Sequence, residues 1–139
     1  MEHIKGGVTA AKGFMAAGVE ANVKYKNRKD MAMVYSQVPC KAAGVFTSNV
    51  VKAAPVVWDR EKLIPPLYSG RGSEFGNRQC MYGTSGYAYC QETADAAAGA
   101  LQIPGDCVLV ASTGVIGMQL PMDKITAGVA ALAGCLKDT

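Results

Sequence analysis

Apolar and polar residues alternate in two stretches near the N-terminus of the chain, and this alternation predicts a β-hairpin. Residues 19–26 alternate without a break, which is typical of a strand with one buried face. Residues 27–30 supply a polar turn, and residues 31–35 form a second, more completely apolar strand. Two further short strands are predicted over residues 43–47 and residues 56–58.

Spacings of three and four between apolar residues predict two helices in the C-terminal half of the chain. The apolar stripe of the first helix consists of Tyr87, Cys90, Ala94, Ala97 and Leu101. That of the second consists of Ile125, Val129, Leu132 and Leu136. The first helix is expected to end near Gln102, and the second to open at Pro121, because proline is favoured in the first helical turn. Residues 62–75 show no periodicity and are predicted to form a surface loop.

The most informative local motif is an apolar run over residues 107–111 that leads into Ser112-Thr113-Gly114. The run predicts a buried strand that ends in a turn. Since glycine adopts positive φ without steric cost, the N–H groups of Thr113 and Gly114 can point into one concavity, beside the Thr113 hydroxyl. Converging donors of this kind suit the oxyanion of an acyl-transfer reaction. From the spacing alone, an ordinary strand-to-loop turn is the better interpretation.

The order of the elements predicts a layered α/β domain with a mixed sheet, and residues 1–139 are expected to form a single domain. Half of the residues are hydrophobic and 18% are charged, a composition that argues against disorder. The net charge of +3 is too small to indicate a nucleic-acid partner. The basic run over residues 24–29 is interpreted as a solvated hairpin tip.

No apolar stretch approaches the roughly 20 residues that span a bilayer, and the N-terminal residues lack the apolar core of a signal peptide. A cytoplasmic location without membrane contact is therefore expected. The five cysteines show no Cys-x-x-Cys spacing and His3 is the only histidine, so neither a metal site nor a disulfide framework is expected. Cys107 and Cys135 lie among apolar residues and are interpreted as small hydrophobes.

The chain lacks a recognisable nucleophile with its own base. A Ser-His-Asp or Cys-His arrangement needs a histidine in a folded cleft, and His3 lies at the chain terminus. A phosphate-binding P-loop is also missing. The sequence therefore offers a candidate oxyanion-binding turn at Thr113 and Gly114 without the group that would attack the substrate.

Three parts of the chain are informative when taken together: residues 6–14, residues 42–49 with 51–56, and residues 110–117 with 120–125. In this order they resemble the ornithine acetyltransferase / glutamate N-acetyltransferase family of arginine biosynthesis. The resemblance implies a layered α-β-β-α sandwich with a mixed sheet, a fold shared with DmpA-like self-processing aminopeptidases. The family's asparagine-rich turn is matched only in part within residues 62–85, so no role is carried over to Asn77.

The resemblance further implies that this chain is the α chain of a precursor that cuts itself before a threonine. The new N-terminal threonine of the β chain would be the nucleophile and its α-amine the base. The Ala-Thr processing motif does not occur in these residues, and the α chain is expected to extend beyond Thr139. By resemblance, Thr113 and Gly114 form the oxyanion hole.

The implied reaction moves the acetyl group of N-acetylornithine to glutamate, and some family members also accept acetyl-CoA as donor. No cofactor is implied, and the expected assembly is a heterotetramer of two α and two β chains. Two alternatives stay open. A self-cleaving aminopeptidase of the same fold would release free amino acids from short peptides, and a non-catalytic module would bind a small anion at residues 112–114.

Overall fold

The computed structural model describes residues 3, 5–24, 26–63, 83–113 and 118–138, and the chain is a mixed α/β protein. In chain order, the helices and strands are β1 (Phe14–Val19), β2 (Met31–Ser36), α1 (Ala54–Leu63), α2 (Gly83–Leu101) and α3 (Met122–Gly134). Two compact units can be distinguished, one formed by Met1–Lys41 with Pro121–Thr139 and the other by Ala42–Leu120. That residues 1–139 form a single domain stays a prediction.

The first unit is built on a two-stranded antiparallel sheet. Strands β1 and β2 pair with Phe14 opposite Ser36. On the other edge of β1, Ala16 and Lys137 exchange both backbone hydrogen bonds, with N–O distances of 2.8 and 3.1 Å. Helix α3 packs on both strands.

The predicted hairpin is present, but its first strand is β1 and not residues 19–26. The prediction was wrong because Asn22 adopts a left-handed φ of 55°, which interrupts an extended backbone within residues 19–26. The basic residues of this connection are exposed, as predicted for a hairpin tip. They are Lys24, Lys26, Arg28 and Lys29.

The side chain of Asp30 organises the connection between β1 and β2. Its carboxylate accepts the backbone N–H groups of Ala21, Val23 and Lys24 at 2.8, 2.7 and 3.1 Å. In a strand, these N–H groups would donate to the carbonyl groups of a neighbouring strand. In this loop the Asp30 carboxylate accepts them instead.

Helix α3 confirms the second predicted helix and begins one residue after Pro121, whose carbonyl accepts the Lys124 and Ile125 N–H groups. The buried apolar residues of the helix are Ile125, Val129 and Leu132, whereas Leu136 lies beyond its end. Gly128 lets the helix approach the sheet closely. A Cβ atom at this position would lie 2.5 Å from Met31 Sδ and 2.9 Å from Ala21 Cβ.

The second unit contains α1 and α2, which pack against each other. The strand predicted over residues 43–47 is wrong, because this segment has no regular secondary structure. The strand predicted over residues 56–58 is also wrong, because it lies within α1. Pro55 stands in the first turn of that helix, where its missing N–H would have had no intrahelical partner.

Helix α2 confirms the first predicted helix and begins four residues before Tyr87. It ends at Leu101, and Gln102 follows with a left-handed φ of 55°, a common way for a helix to end. Its stripe is buried at Cys90, Ala94 and Ala97. The predicted surface loop begins on the last two residues of α1, and residues 64–75 lie outside the described residues.

Candidate functional site

Residues 108–113, here named the approach segment, lead to the candidate oxyanion-binding turn. Within the described ranges they belong to no helix or sheet, so the prediction of a buried strand over residues 107–111 is wrong. Burial alternates along the segment: Val108 and Val110 are half-buried, whereas Leu109 is 47% exposed. This alternation shows that only one face of the segment packs against the protein.

The packed face of the approach segment lies against a small apolar core. Trp58 is fully buried there, together with Ala54, Cys90 and Ala94, and both Val108 and Val110 contact this cluster. The indole Nε1–H of Trp58 donates a 3.0 Å hydrogen bond to the carbonyl oxygen of Val108. The bond satisfies the only polar atom of the buried indole, as burial of a tryptophan requires.

Asp59, the next residue of α1, holds the segment at a second point. Its Oδ1 accepts the backbone N–H of Val110 at 2.8 Å. Burial raises the pKa of the Asp59 carboxyl, and the hydrogen bond from Val110 opposes this rise. Two consecutive residues of α1 therefore bind two positions of the approach segment.

A polar layer covers the same side of α1. The hydroxyl of Tyr87 donates to Glu61 Oε2 at 2.6 Å, and this bond raises the pKa of Tyr87 to about 12. The ring of Tyr87 lies 5.4 Å from that of Trp58, measured between centroids. The Lys62 ammonium is 4.4 Å from the centre of the Trp58 ring and also pairs with Asp106. The Tyr87 ring and the Lys62 ammonium therefore both lie against the ring of Trp58.

Of the two predicted oxyanion donors, the structure describes Thr113. It lies three residues beyond the Val110 anchor, is exposed, and is part of no sheet ladder within the described ranges. Gly114 lies outside the described residues. The joint geometry of Thr113 and Gly114 as an oxyanion hole therefore stays a prediction.

The sequence prediction misses Trp58 and Asp59, because it assigns residues 56–58 to a strand. Pro55 is the signal that could have found them. A proline in a first turn starts a helix, and the four-residue spacing of Ala54 and Trp58 then places both on one helix face.

The cysteines correct a second prediction. Cys107 and Cys135 are exposed, although their apolar neighbours in sequence predict that they act as small hydrophobes. Cys107 ends a 3₁₀ turn (Gly105–Cys107) and Cys135 follows the last residue of α3, so neither lies on the buried face of an element. Among the cysteines that the structure describes, Cys90 alone is buried.

Two negative findings apply to the described part of the chain. No group of three or more His, Cys, Asp or Glu residues there is arranged to hold a metal ion. Of the helices described, none combines the length and the apolar composition needed to cross a membrane.

Comparison with known proteins identifies the family. A model described as the ArgJ family matches residues 15–139. The arginine biosynthesis bifunctional protein ArgJ of Symbiobacterium thermophilum is 46% identical over 138 residues, covering 98% of this chain and 34% of that protein. The ArgJ protein of Gloeobacter violaceus is 43% identical, covering 99% of this chain and 34% of that protein. The chain thus spans about a third of the length of these relatives.

Solved structures agree. The ornithine acetyltransferase of Mycobacterium tuberculosis, solved in complex with ornithine, is 39% identical with a TM-score of 0.78, covering 96% of this chain and 72% of that one. The ArgJ protein of Bacillus halodurans is 34% identical with a TM-score of 0.76, covering 96% and 69%. From the family match, the sequence identities and the shared fold, we conclude that this chain belongs to the ArgJ family.

Proposed function

We propose that this chain is one part of an acetyltransferase that moves the acetyl group of N-acetylornithine to glutamate. The observation that carries the proposal is the similarity, at 39% identity and a TM-score of 0.78, to an ornithine acetyltransferase solved with ornithine bound. The relatives that are named bifunctional support the proposal. A second activity in arginine biosynthesis is consistent with acetyl transfer to glutamate from acetyl-CoA as an additional donor. No cofactor is required by this scheme.

The proposed enzyme contains more than this chain, which spans about a third of the length of its relatives. In the proposed assembly this chain is the α chain, the β chain comes from the same precursor, and two of each form a heterotetramer. The complete protein would have the layered α-β-β-α sandwich with a mixed sheet, and would act in the cytoplasm.

The proposed chemistry divides between the two chains. The β-chain threonine hydroxyl attacks the acetyl carbonyl carbon, and its proton passes to the threonine α-amine. Thr113 and Gly114 donate hydrogen bonds to the oxyanion of the tetrahedral intermediate. The intermediate collapses, ornithine leaves with the proton, and an acetyl-threonine ester remains. The amine of glutamate then attacks this ester and its proton passes by way of the threonine α-amine to the threonine oxygen. The ester C–O bond breaks, which frees the threonine hydroxyl and leaves the acetyl group on glutamate.

The approach segment gives this scheme a physical basis in the described residues. Donors that are already held in place before the reaction stabilise the developing charge without a cost of reorganisation. Val108 and Val110 are fixed by bonds to Trp58 and Asp59, so the backbone that delivers Thr113 is held at two points.

The substitution Thr113→Ala tests the proposal in the complete enzyme. Because it removes a hydroxyl donor near the oxyanion, we expect kcat for acetyl transfer to fall by about 10- to 1,000-fold, while assembly stays intact. Thr113→Ser retains the hydroxyl and is the matched control, with kcat near that of the wild type.

Unchanged kcat in Thr113→Ala would remove this residue from the site. The wild-type assay separates the alternatives as well. If short peptides release free amino acids and glutamate receives no acetyl group, the protein is an aminopeptidase instead. If the chain binds a small anion and no partner polypeptide accompanies it in purified material, it is a binding module.

A further inference from the structure

We infer that Asp59 and Trp58 are positioning residues for Thr113, acting through the approach segment. The inference rests on the proposed function, since it concerns the same site. Both residues lie on α1, about 50 positions before the segment that they bind, and both bond to its backbone and not to its side chains. The contacts therefore control where the backbone runs.

The apolar contacts of the segment cannot supply this control by themselves. Burial of Val108 and Val110 against the core is favourable, but the hydrophobic effect has no directional preference. Backbone hydrogen bonds are directional and lose strength within a few tenths of an ångström and below about 120°. The two bonds thus prevent the segment from sliding along its own length. Apolar contacts alone resist this movement least.

The position of the segment along its length determines where Thr113 lies, because Thr113 is close to the second anchor in sequence. Thr113 is three positions beyond Val110, so its Cα lies at most about 11 Å beyond the second anchor. A slip of one residue would move Thr113 by about 3.3 Å and turn Leu109 towards the core in place of the valines. Catalytic geometry tolerates much less than this, since a displacement of about 1 Å can cost roughly 100-fold in rate.

The use of a carboxylate to accept one backbone N–H group has a cost in desolvation free energy. The Asp59 carboxylate is half-buried, and burial raises its pKa because the charged form loses contact with water. In return, a hydrogen bond to a carboxylate is shorter and roughly twice as strong as one to a neutral acceptor. The carboxylate therefore adds strength to the hydrogen bond that holds the backbone at Val110.

The test compares Asp59→Ala and Trp58→Phe in the complete, processed enzyme, with circular dichroism to confirm folding. We expect each variant to lower kcat for acetyl transfer by about 10- to 100-fold. KM should change by less than about twofold, because a donor needed only in the transition state does not alter substrate binding. Asp59→Asn, which keeps an acceptor oxygen for Val110, should recover at least half of the wild-type kcat.

Glu61→Ala is the matched control. Glu61 lies on the same helix and also accepts one hydrogen bond, from Tyr87, but has no bond to the approach segment. We expect kcat in this variant to stay within about twofold of the wild type. If Asp59→Ala does not fold, Trp58→Phe decides, because it keeps a buried aromatic ring while it removes the indole donor to Val108.

Two outcomes overturn the inference while leaving the proposed function intact. One is an active wild type in which folded Asp59→Ala or Trp58→Phe retains full kcat. The other is a loss of activity that appears wholly in KM or is equal in Glu61→Ala. An inactive wild type would instead contradict the proposed function, so the two failures are distinguishable.

Discussion

At the scale of single residues, burial separates cysteines that the sequence does not distinguish. Cys90 is 4% exposed and packs against Trp58, whereas Cys40, Cys107 and Cys135 are exposed. Burial, and secondly the charge of Asp59, raise the pKa of the Cys90 thiol to about 11. Since the thiolate is the reactive form, Cys90 is protected both by inaccessibility and by its protonation state.

We therefore predict that iodoacetamide at pH 8 modifies Cys40 readily and leaves Cys90 unmodified, as measured by peptide mass spectrometry of the folded protein. Unfolding in urea should expose Cys90 to the same reagent and provides the control. Equal rates at Cys40 and Cys90 in the folded protein would contradict the buried position of Cys90.

The same pKa gives a dependence of stability on pH. Because the folded pKa of Cys90 is about 11 and the ordinary value is 9.0, the folded state holds its proton more tightly than the unfolded state. The contribution is complete below about pH 9 and is lost as the pH rises through about 11. The unfolding temperature of Cys90→Ala should therefore fall less steeply over this interval than that of the wild type. If the unfolding temperatures of the two proteins fell in parallel with pH, the raised pKa of Cys90 would be contradicted.

At the scale of elements, the helices α2 and α3 could be predicted because their buried residues recur at spacings of three and four. Strand β1 could not, since its six residues, Phe14–Val19, are all half-buried and show no alternation. Helix α1 was hidden by two valines and a tryptophan, which favour strands locally. Burial of Trp58 against α2 overrides that preference, and a residue pattern does not contain this contact.

Two glycines in helix interiors give opposite predictions for the same substitution. Gly99→Ala in α2 meets no atom within 4 Å and should raise the free energy of unfolding by up to about 1 kcal/mol, because alanine favours the helix. Gly128→Ala in α3 places a Cβ 2.9 Å from Ala21 Cβ, which has no flexible side chain to yield. We expect it to lower the free energy of unfolding by about 1–3 kcal/mol.

Thermal or urea unfolding of both variants under one condition provides the measurement, and Gly99→Ala is the control for helix propensity. Only Gly128→Ala tests the close approach of α3 to the sheet. A stabilised Gly128→Ala protein would show that the helix and the sheet have more space between them than the 2.9 Å contact allows.

At the scale of the whole molecule, the candidate site was only partly predictable. The candidate turn at Thr113 and Gly114 could be predicted, because its residues are consecutive in the sequence and match the family motif. The residues that bind the approach segment before this turn are not adjacent to it in sequence. Trp58 and Asp59 bond to positions 50 and 51 residues away, so only the folded chain brings them to the site.

The chain also lacks part of the chemistry that its proposed reaction needs. It carries one histidine, at position 3, and spans about a third of the length of its relatives. An oxyanion-binding turn stabilises charge but does not attack a carbonyl carbon, so the proposed reaction takes its nucleophile from the β chain. An N-terminal threonine satisfies this need with few additional groups, because its own α-amine serves as the base.

We therefore predict that native material contains a second polypeptide whose first residue is threonine, detectable by intact-mass measurement and N-terminal sequencing. The 139 residues alone should show no acetyl transfer from N-acetylornithine to glutamate, whereas the complete, processed enzyme should show it. The complete enzyme with alanine in place of the first threonine of the second polypeptide is the control and should show no transfer. Turnover by the 139-residue chain alone would place the nucleophile within it and contradict the division of the site between two chains.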